Sequence, residues 1–309
     1  MDRLSELHKV KDILKQVDYK TLTSILNSYV PRIPASIIDF KNEKFEFRQI
    51  HAGGMNLLYR GRLFDETKIP FPNVKDISFV PDDKLHTIKQ YGRVNKPGES
   101  MFYASTALET ACVETFSKGE NFDRLKKENG LTLVVGTWLI EQPMTLAHMA
   151  CSEKYFEGFL EEAKSLNLKK VTLESIKKQN EHLRTLFDNE EDYQILSFFS
   201  DEFAKLNTID HNEHKISNYY ADRIFNRIDG FKMQGEVDGI WYPSVPSSYQ
   251  EINFVLAPSK VQEKLKFLWA DIIWVVYSAD SKQIQFIPLE QRAHANEEGV
   301  IQWRTKSIG

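Results

Sequence analysis

The chain is poor in the features that mark several protein classes. Two cysteines, Cys112 and Cys151, in 309 residues cannot build a disulfide framework, and both thiols are expected reduced. Glycine (14) and proline (11) are too sparse for collagen-like or low-complexity architecture. The longest apolar stretch, Phe267 to Ala279, is interrupted by Asp271 and is too short to span a bilayer, so no membrane partner is expected. Neither sign of charge dominates: 40 Lys+Arg against 44 Asp+Glu leave a net charge of −4, with no basic field to collect nucleic acid. The opening residues, MDRLSELHKV, contain no apolar leader core, and a cytoplasmic location is expected. The common phosphate and nucleophile loops, GxGxxG, GxxxxGK and GxSxG, are missing as well.

What is present is an ordered change of hydrophobic period. Over residues 1–28, Leu4, Leu7, Val10, Ile13, Leu14 and Val17 recur at three- and four-residue spacing, which predicts an amphipathic helix. Phe45 and Phe47, then Leu57, Tyr59, Gly61 and Leu63, alternate with polar residues and predict two strands about Gly53-Gly54. Further strands are predicted at Met101–Ala104, Leu131–Ile140, Gly239–Tyr242, Ile252–Leu256, Ile272–Tyr277 and Ile284–Pro288, with helices at 107–117 and 259–269. Residues 152–228 are mostly helical, with one stripe of Phe156, Phe159, Leu160 and Ala163 and another of Ile195, Phe198, Phe199 and Phe203. Strands, then helices, then strands argue for an α+β fold. The apolar stripes must be covered, so residues 1–28 and 152–228 are expected to pack together as a helical layer beside the sheet. The domain reading is a helical extension over 1–44, a catalytic domain over 45–290 with an insertion at about 152–228, and a tail over 291–309.

Few residue groups can carry chemistry. His211 and His214 lie in a polar stretch whose spacing matches no metalloprotease signature, and no metal site is assigned. Pro97-Gly98 suits the centre of a type II turn that would set Arg93 and Tyr103 on facing strands. Thr106 to Glu109 reads as a capping box. In the helix that follows, Ala107, Ala111 and Glu114 share the face that a sheet would cover. A carboxylate there is costly unless paired with an arginine or used. Arg60 and Arg62, two apart on one strand, point alike and call for an anion or carboxylate. Pro243 stops a strand and delivers Ser244 at its end.

An Arg on a strand, Gly92-Arg93-Val94-Asn95, Phe102-Tyr103-Ala104-Ser105, then Glu114, then a late Tyr242-Pro243-Ser244, together resemble the RES-domain family. The resemblance covers about residues 45–145 and 230–260. It implies an ADP-ribosyltransferase-like core of antiparallel or mixed sheets, with the extension and insertion added to it. It also implies a toxin-type enzyme of a toxin–antitoxin pair, cleaving NAD⁺ by phosphorolysis or hydrolysis. NAD⁺ is then substrate rather than cofactor, inorganic phosphate is a possible co-substrate, and a cognate antitoxin is a possible partner. Glu114, Arg60 and Ser244 are implied as catalytic; Arg93, Tyr103, Tyr59, Arg62 and Asn95 as substrate-binding. Val94 stands where the family usually has an aromatic, and Pro246 where a basic residue is common. Two other readings are an ADP-ribosyltransferase acting on a macromolecule, and a non-enzymatic binding module with a structural Arg/Glu network.

Overall fold

The computed structural model describes residues 3–40, 56–64, 71–116, 120–128, 130–156, 172–205, 210–228, 235–247, 249–281 and 283–303. The strand expected around Phe45 and Phe47, the Gly53-Gly54 turn, and Phe159, Leu160 and Ala163 lie outside these residues.

The N-terminal periodicity becomes two helices rather than one. α1 (Arg3–Val10) runs into a short 3₁₀ turn, and α2 (Tyr19–Tyr29) starts afresh where the Asp18 side chain accepts from Thr21 N. The cap satisfies a backbone donor that a restarting helix leaves bare. Among the described residues ten strands form one mixed sheet, in the order β1-β5-β6-β7-β3-β2-β4-β8-β9-β10. They are β1 (Ser36–Phe40), β2 (Leu57–Leu63), β3 (Phe102–Ser105), β4 (Leu131–Ile140), β5 (Met144–His148), β6 (Gly239–Pro243), β7 (Ile252–Leu256), β8 (Leu265–Ser278), β9 (Gln283–Ala295) and β10 (Ile301–Gln302). Neighbours are antiparallel except β5 and β6, which are parallel.

Several boundaries differ from the sequence reading. β1 and β5 were not expected; β1 places part of the first 44 residues at the sheet edge. The helix expected over 259–269 ends at Lys264, and the apolar residues after it belong to β8. β9 crosses residue 290, and β10 pairs with its end, so sheet structure continues into the expected tail.

Most helices, including α6 (Leu173–Arg184) through Leu183, lie on one face of the sheet, whereas α3 (Val74–Ile77) packs on the other through Ile77. α4 (Leu108–Phe116) and α5 (Glu120–Lys127) cover β2, β4 and β8 through Cys112, Phe116, Leu125, Leu133, Val135 and Ile273. Gly61 permits this approach: a Cβ there would lie 2.6 Å from Thr115 Oγ1 and 2.9 Å from the Ala111 carbonyl. Beside that cluster on the same face lies the largest one. Leu7, Leu22 and Leu26 from the N-terminal helices meet Phe198, Phe199, Phe203 and Tyr219 from α7 (Glu190–Ala204) and α8 (Lys215–Ile224). They pack over Ala147, Ile240, Tyr242 and Val255 of the sheet. The N-terminal helices and the described helices of the 152–228 segment therefore share a layer beside the sheet, and the stripe of Ile195, Phe198, Phe199 and Phe203 is covered by the chain itself. The opposite face carries Leu58, Phe102, Trp138, Phe254 and Ile272. Among the described residues no helix is long and apolar enough to cross a membrane.

Candidate active site

The site grows from the junction of the two helical clusters. A row of side chains crosses the strands there, because the register sets Tyr59 opposite Ser105, Ser105 opposite Asn253, and Asn253 opposite Tyr242. Paired residues point the same way, so the row lines one face of the sheet. Above it sits Glu114, one turn beyond the buried Ala111 of α4, with only 14% of its side chain exposed.

Glu114 is held by groups remote in sequence. Its Oε1 accepts from Ser244 Oγ at 2.9 Å and from Asn253 Nδ2 at 2.5 Å. Asn253 is oriented in turn by Ser105, whose hydroxyl donates to Oδ1. Ser244 is itself fully buried and fixed by backbone bonds, its N–H donating to Glu251 O and its carbonyl accepting from Tyr249 N. The second oxygen, Oε2, faces Arg93 Nη1 at 3.7 Å. A carboxylate held through one oxygen keeps the other available to a bound molecule.

Arg93 is not on a strand. Residues 91–99 fold as turns, with Gly92 N bonded to Asn95 O and Glu99 N to Lys96 O; Gly98 takes φ +79°, as the expected Pro97-Gly98 turn requires. The loop packs on β3 through the Tyr103 hydroxyl, which donates to Asn95 Oδ1 at 2.8 Å and accepts from Val94 N at 3.1 Å. Burial pushes the Tyr103 phenol up to about 12, against the opposing pull of the Val94 N–H and of Arg93. The Arg93 guanidinium lies 5.9 Å from the Tyr242 ring, and its Nη2 donates to Lys205 O. Arg93 Nε and Nη1 are buried and make no close hydrogen bond, Nη1 having only the 3.7 Å approach to Glu114. Val94, fully buried in the helical-side core, offers no ring-stacking surface.

The structure thus gathers Glu114, Ser244 and Arg93, with Tyr103 and Asn95 fixing the Arg93 loop. It does not gather the rest. Strand alternation turns Arg60 and Arg62 away from the Tyr59–Gly61 face that α4 covers. Instead of a carboxylate, Arg60 Nη1 finds the Tyr103 backbone carbonyl at 2.7 Å, with its guanidinium 5.4 Å from the Phe102 ring. Burial, helped by the neighbouring Arg62 charge, brings the Arg60 guanidinium down to about 9. Arg62 donates to Ser78 O. Tyr59 packs among the α4–α5 cluster, near the charges of Glu109, Asp271 and Arg292. Thr106 does not cap α4 as the box motif suggested; its hydroxyl bonds Glu251 Oε2 and accepts from Ile252 N at the start of β7. Sequence reasoning missed Asn253 as a holder of Glu114. Its one signal was a polar residue inside the otherwise apolar Ile252–Leu256 strand. Tyr242, read only as part of the Tyr242-Pro243-Ser244 strand end, proves to underlie Arg93.

The profile of the RES domain matches residues 76–270, a span that includes the helical segment and Glu114, Arg93, Ser244 and Asn253, and that begins after Arg60 and Arg62. No curated protein matches the chain. The α+β sheet described above is of the ADP-ribosyltransferase-like kind.

Proposed function

The chain belongs to the RES-domain family, and from that premise we propose that it is a toxin-type enzyme that cleaves the nicotinamide–ribose bond of NAD⁺. The observation that carries the reading is Glu114: a nearly enclosed carboxylate fixed through one oxygen by Ser244 and Asn253 and facing a buried guanidinium through the other.

The chemistry asks for this set. The C1′–N bond of NAD⁺ breaks with its electron pair passing to the pyridinium nitrogen, so the leaving group departs neutral and needs no general acid. Positive charge develops on the ribose, and one prepositioned carboxylate stabilises it where most glycosidases use two. Phosphate or water then adds to C1′ and gives its proton to the medium. In this reading Arg93 grips the pyrophosphate as a planar fork. Ser244 and Asn253 orient Glu114, and the Tyr242 ring offers an aromatic surface beside Arg93. Arg60 acts through β3, holding the Tyr103 carbonyl, rather than on substrate. A cognate antitoxin would complete the family pattern.

The test is the purified chain with NAD⁺, with and without phosphate, followed by product separation. Nicotinamide with ADP-ribose-1″-phosphate marks phosphorolysis, nicotinamide with ADP-ribose hydrolysis, and intact NAD⁺ rejects the proposal. The 3.7 Å approach of Arg93 to Glu114 favours a second reading, a binding module in which the pair is structural. Calorimetric titration that shows NAD⁺ binding without turnover selects it.

A further inference from the structure

The carbonyls of the residues before and after Arg93 are held from the helical segment, not from the sheet. Asn218, fully buried on α8, donates Nδ2 to the Gly92 carbonyl at 2.5 Å. Arg227, just past the end of α8, donates Nη2 to the Val94 carbonyl at 3.1 Å. Arg93 itself donates to the carbonyl of Lys205 at the end of α7. Three residues after Arg93, Lys96 Nζ reaches Asp222 Oδ2 at 3.0 Å.

Asp222 joins three parts of the chain. It is 1% exposed, and besides Lys96 it takes Arg227 Nε at 2.9 Å and the hydroxyl of Tyr19, from the start of α2, at 2.7 Å. Glu99 closes the ring, accepting from Lys96 N and Arg227 Nη1. A loop built of turns has no ladder to fix its geometry; here charged bonds, which are stronger than neutral ones, supply it. The Gly92 carbonyl belongs to the peptide that enters Arg93 and the Val94 carbonyl to the peptide that leaves its neighbour, so the backbone is tied on both sides of Arg93.

We infer that Asn218, Asp222 and Arg227 are positioning residues that hold the Lys96-bearing loop so that Arg93 meets its substrate. The inference rests on the NAD⁺ reading, with Arg93 as the pyrophosphate ligand. It gives the helical segment a part in substrate binding.

The experiment uses the full chain and three variants, Asn218→Ala, Lys96→Met and Lys96→Arg, in steady-state NAD⁺ cleavage and in hydrogen exchange over residues 91–99. Small displacements of a binding group weaken productive binding steeply, so Lys96→Met is expected to raise KM roughly tenfold. Loss of ground-state grip leaves kcat within about twofold of the parent. Exchange over 91–99 rises in Lys96→Met, and Lys96→Arg, which keeps the pair with Asp222, restores both readouts. Asn218→Ala follows Lys96→Met if it folds; if it does not, Lys96→Met decides. An active parent whose Lys96→Met variant keeps the parental KM overturns the inference alone. A parent that neither binds nor cleaves NAD⁺ overturns the functional reading, and this inference with it.

Discussion

Ser105 and Glu114 do not touch, yet Asn253 joins them: its Oδ1 accepts from the Ser105 hydroxyl while its Nδ2 donates to Glu114 Oε1. The carboxylate, which can only accept, settles which end of the amide faces it, and the Ser105 hydroxyl donates to the oxygen that is left. The charge on Glu114 is thus held by a neutral group that cannot turn its donor away.

Glu114→Gln should retain the fold, since an amide oxygen still accepts from Ser244 and Asn253, and lose turnover by about a hundredfold or more, the usual effect of removing a stabiliser of developing charge. NAD⁺ consumption and thermal melting measured together check this. A variant with parental turnover and parental melting removes Glu114 from the chemistry.

Asn253→Ala and Ser244→Ala each delete one bond to the carboxylate, and hydrogen bonds to charged groups are worth about 1.5–3 kcal/mol. Each is expected to lower kcat by roughly tenfold, with a smaller change in KM. The double variant should lose less than the product of the two, because both act through one oxygen. Full additivity would mean that the two side chains serve separate purposes.

Arg93 is 4% exposed and faces Glu114, so its loss affects folding as well as binding. Arg93→Ala leaves a largely enclosed carboxylate without its cation and should destabilise by about 2 kcal/mol or more. Arg93→Lys keeps the charge, with milder effects on melting but clear loss of NAD⁺ affinity, since a lysine has no bidentate fork. Equal NAD⁺ binding by parent and both variants would leave Arg93 a structural ion-pair partner only.

His148 supplies a pH dependence of stability. Burial, with a smaller push from His182, holds its imidazole below the ordinary 6.5. The unfolded chain therefore binds a proton at His148 more readily than the folded one, and stability falls as pH drops below about 6.5. Melts near pH 7.5 and 5.5 should show a larger drop for the parent than for His148→Gln. His8, lowered for the same reason with Lys11 and Lys154 adding to it, contributes equally to both chains. Parallel slopes would place the acid sensitivity elsewhere.

Leu22 and Leu26 of α2 are completely buried against the helical segment. Leu26→Ala should cost about 2–5 kcal/mol. Removal of residues 1–28 should uncover the aromatic stripes of α7 and α8 and yield an aggregating, dye-binding product. A soluble, equally stable remainder would contradict the shared core.

The legible parts of the fold were those whose cause is local. β4 is a ten-residue β-rich run, and the turn at Gly98 needs only the Pro-Gly pair. The end of the last helix was misjudged because Leu265–Ala270, apolar but for Lys266, suits either state, and only its pairing with β4 makes it strand. At the site, Glu114 was legible as a carboxylate on a small-residue face. Arg60 was legible as a cation in a strand, but which side of the sheet α4 would cover was not. Asn253 was illegible as a partner, since the register that sets it beside Ser105 is a property of three strands together.

The bonds on Glu114 span 130 residues to Ser244 and 139 to Asn253. Chains emerge from the ribosome N-terminus first, so the acid is made long before the groups that aim it. A nascent or truncated chain that stops short of β7 carries the glutamate and the Arg93 loop but no assembled site. Whatever Glu114 does in the finished molecule, the order of synthesis withholds it until β7 has been translated.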